Sequence, residues 1–220
     1  MSLGLPEQVT LPSLKERIVQ LLRDTVPGAE PEFPYAVHFT PEQVDALRQF
    51  LPERLARAAV LVPLVERPDG LNVLLTLRAS HLKNHAGQIS FPGGRIEESD
   101  AGPWEAALRE AREEIGLEAR YVSLAGYLPD HIVISGFRVT PVVALVNPGF
   151  NLRLDTTEVE DAFEVPLEFA LDPANQLPRE RHFAGHTILT CDIRYHDRQI
   201  WGATASMLLT LSRLLRAGAS

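Results

Sequence analysis

The residues best suited to chemistry form one run: Gly93-Gly94-Arg95-Ile96-Glu97-Glu98-Ser99-Asp100, then, after a short gap, Arg109-Glu110-Ala111-Arg112-Glu113-Glu114-Ile115-Gly116. On a helix, Glu110, Glu113 and Glu114 fall at i, i+3 and i+4 and share one face. Like charges at that spacing repel one another. A hard divalent cation relieves the repulsion, because Mg²⁺ and Mn²⁺ prefer carboxylate, carbonyl and water oxygens and bridge readily to phosphates. Gly93 and Gly94 let the backbone turn tightly and bring a carbonyl close to an ion. From these residues alone another reading stays open, an ordinary solvated helix in which Arg109 pairs with Glu113 and Arg112 answers the other acids.

The elements that must position these groups follow from local pattern. Pro103 to Ile115 reads as a helix stopped by Gly116, with Trp104, Leu108, Ala111 and Ile115 as its apolar stripe. Such a helix packs on a core and presents its acids outward. Ala58–Val65 and Leu71–Arg78 read as buried strands joined by a turn at Pro68, Asp69 and Gly70. Further strands are expected at Tyr121–Leu128 and Phe137–Val146, a hairpin at Arg181–Tyr195 and a closing helix at Ala203–Leu215. Upstream, Leu14, Ile18, Leu21 and Leu22 recur at helical spacing after an N-cap at Ser13, and a second helix is expected from Pro41 with Thr40 as its cap. A Pro-rich linker, Val26 to Tyr35, separates the two. The expected organisation is a helical extension over residues 1–56 and a main domain over 57–220, a sheet sandwiched between helices.

Composition narrows the function classes. With 45% hydrophobic and 23% charged residues, the chain can bury one substantial core. A formal charge of −8 argues against general affinity for nucleic acid, so any phosphate compound must be held by local cations and bound metal. Runs such as Ala58–Val65 and Val142–Val146 are far shorter than the ~20 residues of a membrane-spanning helix. Met1 to Pro12 lacks the basic start and apolar run of a secretory signal. A cytoplasmic protein is the expectation. Cys191, the one cysteine, reads as a small buried apolar residue. The stripe Met207, Leu208, Leu209, Leu211 and Leu214 suits core packing or, as the alternative, a homodimer interface.

The run resembles the Nudix box, Gly-x5-Glu-x7-Arg-Glu-U-x-Glu-Glu-x-Gly-U with U aliphatic. Gly94, Arg109, Glu110, Ala111, Glu113, Glu114, Gly116 and Leu117 match it. Asp100 stands where the first Glu is expected, and the loop to Arg109 is one residue longer. The resemblance implies a Nudix-type α/β/α sandwich with a mixed β-sheet, preceded by short N-terminal helices. It implies a Mg²⁺- or Mn²⁺-dependent pyrophosphatase in which Glu110, Glu114 and the Gly94 carbonyl hold metal. Glu113 would be a further ligand or the proton acceptor, and Arg109 would orient Glu110 or Glu113. Glu158 and Glu160 are further candidates for the general base.

Immediately upstream, Leu74-Leu75-Thr76-Leu77-Arg78-Ala79 and Lys83, followed by Gly87 and Phe91-Pro92-Gly93-Gly94, look like the motif of the coenzyme A pyrophosphatase branch. Segments around Ser135–Val143, Glu158–Leu167 and Ile200–Thr204 look like the same branch. That likeness implies a small-molecule substrate, coenzyme A or a related nucleotide diphosphate, with Arg78, Lys83 and His85 as binding residues. The alternatives are a Nudix enzyme for another nucleoside diphosphate derivative and a catalytically idle nucleotide sensor. Phe137 and Trp201 could stack on adenine, but buried strand and helix-start aromatics are more often core, so neither is counted in the site.

Overall fold

In the computed structural model, residues 12–28, 48–82, 84–183 and 185–218 are described. Helix α1, Leu14–Leu22, begins at Ser13, whose hydroxyl accepts the Glu16 N–H while the Glu16 carboxylate accepts the Ser13 N–H, a reciprocal cap. Ile18 and Leu22 are fully buried in the main core, and Arg17 donates to the Leu215 carbonyl at 3.0 Å. The helix expected from Pro41 and most of the Pro-rich linker lie outside the described residues.

Strands β1 (Ala56–Arg67) and β2 (Gly70–Arg78) form an antiparallel hairpin through the expected turn. Two short strands, β3 (Ile89–Ser90) and β4 (Gly93–Arg95), pair with β2 and β1 respectively. After helix α2 (Pro103–Ile115) come β5 (Val122–Tyr127), β6 (His131–Val133) and β7 (Phe137–Val146). Strand β7 lies parallel to β1, from Ala56 beside Phe137 to Val65 beside Val146. All other pairings in this eight-stranded sheet are antiparallel, so the sheet is mixed. Pro63, in a central strand, stands where β1 changes partners on one side, from β4 at residues 58–60 to β2 at residues 64–67. Its missing N–H therefore interrupts neither ladder.

Strand β8 (Val159–Pro166) pairs with β2 and leads into the short helix α3 (Leu167–Leu171). A three-stranded sheet follows, β9 (Gln176–Phe183), β10 (His186–Tyr195) and β11 (Arg198–Ile200), then helix α4 (Gly202–Ala217). The hairpin thus starts earlier than Arg181. Pro178 disfavours a strand reading there, but β9 is an edge strand, where proline is tolerated.

The large sheet is buried on both faces. Ala59, Leu61, Val142 and Ala144 pack against Ala106, Ala107, Ala111 and Ile115 of α2. Ala58, Val62, Val73 and Val143 share a core with residues of α1, α3 and α4. This is the expected α/β/α sandwich. Met207, Leu208 and Leu211 are buried in that second core, with Leu209 and Leu214 packed against it, so the α4 stripe serves the chain's own interior. Among the described residues no helix is long and apolar enough to cross a membrane.

Candidate active site

Helix α2 is fixed at both ends. Pro103 occupies its first turn, and Gly116 closes it in the left-handed conformation, φ 70°, donating to the Arg112 carbonyl at 3.0 Å. The loop after β7 ties down the last turn: the Arg153 and Asp155 N–H groups donate to the Ile115 and Glu114 carbonyls at 2.8 and 2.9 Å. The three glutamates then fall into different surroundings. Side-chain exposure is 6% for Glu114, 17% for Glu110 and 53% for Glu113. The expectation that α2 presents its acids outward is corrected for Glu114. An i, i+4 spacing fixes which residues share a face but not what stands opposite, and here the glycine turn stands opposite.

One carboxylate oxygen of Glu114 accepts the Gly93 N–H at 3.1 Å, and the other lies 4.0 Å from Arg78 Nη1. Burial pushes its carboxyl up to about 8, with the Glu110 charge adding to the rise and the Gly93 N–H and Arg78 opposing it. Glu110 is also raised, first by burial, against the Arg109 hydrogen bond and charge. The charge of Glu158 adds a smaller rise to both groups. Gly94 abuts the Glu110 carboxylate so closely that a Cβ at this position would overlap it.

Arg109 is the hub of this face. Its Nε and Nη2 grip Asp100 at 3.0 and 2.9 Å, while Nη1 reaches Glu110 at 2.8 Å and Glu113 at 3.1 Å. Nη2 also donates to the Arg95 carbonyl at 3.0 Å, pinning the strand that carries the glycines. The loop's extra residue therefore does not separate the acid from the arginine. The Arg109 guanidinium holds the Asp100 carboxyl below its ordinary range.

On the side facing β2, the register shifts between Leu77 and Arg78, an irregularity of the kind that re-aims a side chain. Arg78 turns toward Glu114, and its buried Nε has no hydrogen-bond partner among the described residues. The Arg78 N–H donates to the Gln88 carbonyl and the Gly87 N–H to the Arg78 carbonyl, closing the loop between them. Within that loop His85 has a left-handed backbone, φ 57°, and its Nδ1 lies 2.8 Å from Gln88 Oε1. Lys83 lies outside the described residues. Glu160 accepts the Ser80 N–H at 3.2 Å, whereas the Glu158 carbonyl takes the Ala79 N–H at 2.8 Å.

Arg78, His85, Gly93 and Gly94 line a cavity of about 540 Å³. Val60, Phe91, Val133, Val139 and Met207 contribute apolar wall. Phe137 and Trp201, assigned to core packing from sequence, also line it, and so does Arg95, which the sequence reading passed over. A usable signal existed for Arg95: it directly follows the paired glycines of a strand, where side chains alternate faces.

The donor set suits a hard divalent ion. Glu110 and Glu114 are two half- to fully buried carboxylates with only partial relief of their repulsion, and glycine leaves backbone close against one of them. Among the described residues no three acidic, His or Cys side chains form a preassembled metal centre. An ion bound there would take further ligands from backbone, substrate phosphate and water, the usual pattern for Mg²⁺.

A sandwich with a mixed sheet, bearing an oxygen-rich pair on a helix that faces a glycine turn, defines a class of phosphoanhydride hydrolase. The chain belongs to the Nudix family: residues 55–186 match the family described as NUDIX domain. The uncharacterized Nudix hydrolase NudL of Salmonella paratyphi B is 40% identical over 156 residues, covering 71% of this chain and 81% of that protein. Its counterpart in Salmonella newport matches to the same extent. The crystal structure of the Nudix hydrolase RenU from M. smegmatis superposes with a TM-score of 0.50 at 20% identity, over 74% of this chain and 86% of that one, a likeness of fold. The protein is a Nudix pyrophosphatase that acts on nucleoside diphosphate derivatives, in a family that generally uses divalent metal ions.

Proposed function

We propose that this hydrolase cleaves the diphosphate of coenzyme A or its derivatives in the cytoplasm, giving 4′-phosphopantetheine and adenosine 3′,5′-bisphosphate. Glu110, Glu114 and the Gly94 carbonyl would hold Mg²⁺ or Mn²⁺. The bound ion supplies charge neutralisation on the phosphoryl oxygens and a lowered pKa for water. Arg109 orients Glu110 and Glu113 through its hydrogen bonds, a task on which metal-site geometry depends. Arg78, with Lys83 and His85, holds the diphosphate. Hydrolysis adds one water across the anhydride: a P–O bond to the water oxygen forms, the bridging P–O bond breaks, and the water proton passes to a carboxylate, Glu113 or Glu158.

The observation that carries this reading is the unpartnered buried Nε of Arg78 beside Glu114, within the motif of the coenzyme A branch. A buried donor without a partner is costly and calls for one, and a diphosphate oxygen meets that need. The test is product analysis after incubation with coenzyme A, NADH and ADP-ribose, each with and without Mn²⁺. Coenzyme A should be cleaved fastest, with both products and full loss in EDTA. A tenfold faster turnover of NADH or ADP-ribose would assign the site to another nucleoside diphosphate derivative. Metal-independent binding without turnover would make the protein a sensor.

A further inference from the structure

We propose that Arg95 binds a second phosphate of the substrate, remote from the one that is cleaved, and so makes the enzyme selective for a nucleotide with a 3′-phosphate. The inference rests on the coenzyme A reading for the identity of that phosphate. In β4, Gly94 pairs with Ala59 and Arg95 with Ala58, so the two project to opposite faces of the sheet. The Gly94 side is that of α2: Ala59 packs among the α2 alanines, and a Cβ at Gly94 would strike Glu110. The Arg95 side is that of the cavity. Arg95, Ala58 and Val139 lie abreast across three strands, two residues along β7 from Phe137, and all four line the cavity.

Arg95 is also uncommitted. Asp100, Glu110 and Glu113 are taken by Arg109, Asp130 by Arg138 and Asp192 by Arg181. Among the described residues the Arg95 guanidinium has neither a hydrogen-bond nor an ion-pair partner. Its carbon lies 5.2 Å from the centre of the Phe137 ring, which holds the planar fork over an apolar shelf. An exposed, unneutralised guanidinium on the lining of a cavity with much apolar wall, within a chain of net charge −8, offers an anion a local partner. Arg95 shares the cavity with Arg78 and His85 but not the face of Glu110, so it is free to take a phosphate other than the one that Arg78 and the metal hold. In coenzyme A the remaining phosphate is the one on the ribose.

The test pairs deletion of the side chain with deletion of the phosphate. Wild-type enzyme and the Arg95→Ala and Arg95→Lys variants are assayed with coenzyme A and 3′-dephospho-coenzyme A. The wild type should prefer coenzyme A in kcat/KM by about 10- to 100-fold, the range of a charge-assisted hydrogen-bond pair, mostly through KM. Arg95→Ala should bring that ratio close to one and Arg95→Lys should restore part of it. A ratio unchanged in Arg95→Ala, or absent in the wild type, overturns the assignment, and a ratio is insensitive to partial loss of folded protein. Calorimetric binding of adenosine 3′,5′-bisphosphate against 5′-AMP gives a readout without turnover. If coenzyme A is not cleaved but the bisphosphate binds more tightly and only when Arg95 is present, the phosphate site stands and the substrate reading falls. Equal binding of both nucleotides by the wild type overturns the site itself.

Discussion

Glu114 illustrates how one buried carboxyl couples folding to protons and, under the proposed function, to metal. Its pKa is raised from an ordinary 4.5 to about 8 by burial. A carboxyl raised in the folded state favours folding most below about 4.5 and loses that contribution as pH climbs toward 8, because the buried anion is the disfavoured form. Metal-free Glu114→Gln protein should therefore melt at a higher temperature than metal-free wild type, by a margin that widens from pH 5 to pH 8. Excess Mg²⁺ should raise the wild-type melting temperature with pH, since binding displaces a proton, and should leave the variant nearly unmoved. Differential scanning fluorimetry across that range measures both, and a margin constant with pH would contradict the buried-anion account. The neighbouring Glu113 is half exposed and accepts from Arg109 at 3.1 Å.

At the level of elements, the site is a meeting of helix α2 with strand β4, and glycine sets how close they come. A methyl group at Gly94 has nowhere to go but into the Glu110 carboxylate. Gly94→Ala should lower kcat/KM by about 100-fold, the cost of displacing a reacting group by roughly 1 Å, with the circular dichroism spectrum retained. Retained activity would mean that β4 can withdraw from α2. Much of this arrangement was legible in the sequence. Pro103 and Gly116 delimit α2, and Pro68 to Gly70 mark the β1–β2 turn, because these residues act through their own backbone restrictions. What was not legible depends on partners distant in sequence. The burial of Glu114 depends on Gly93, the reach of Asp100 to Arg109 depends on the path of the loop, and the exposure of Phe137 and Trp201 to the cavity depends on how α4 meets β3 and β7. Strands as short as β3, β4 and β6 carry too few residues to show a period.

Across the whole molecule, the two hydrophobic cores divide the labour: one seats the helix of glutamates, and the other joins the sheet to α1, α3 and α4. Ile18 is fully buried in the latter although it lies far ahead of the strands it supports. Ile18→Ala should cost about 2–5 kcal/mol in urea unfolding while leaving the KM of the folded enzyme unaltered, since α1 supports the core rather than the substrate. A loss below about 0.5 kcal/mol, the scale of an ordinary surface change, would show that α1 is dispensable to that core.

The parallel alliance of β1 with β7 reaches beyond the finished fold into its history. Ala56 waits for Phe137, so a nascent chain leaving the ribosome can close its first hairpin early but gains its central ladder only once β7 has emerged. Until then the glycine turn and the box helix hang on a half-built sheet, and the oxygen cage matures late in synthesis.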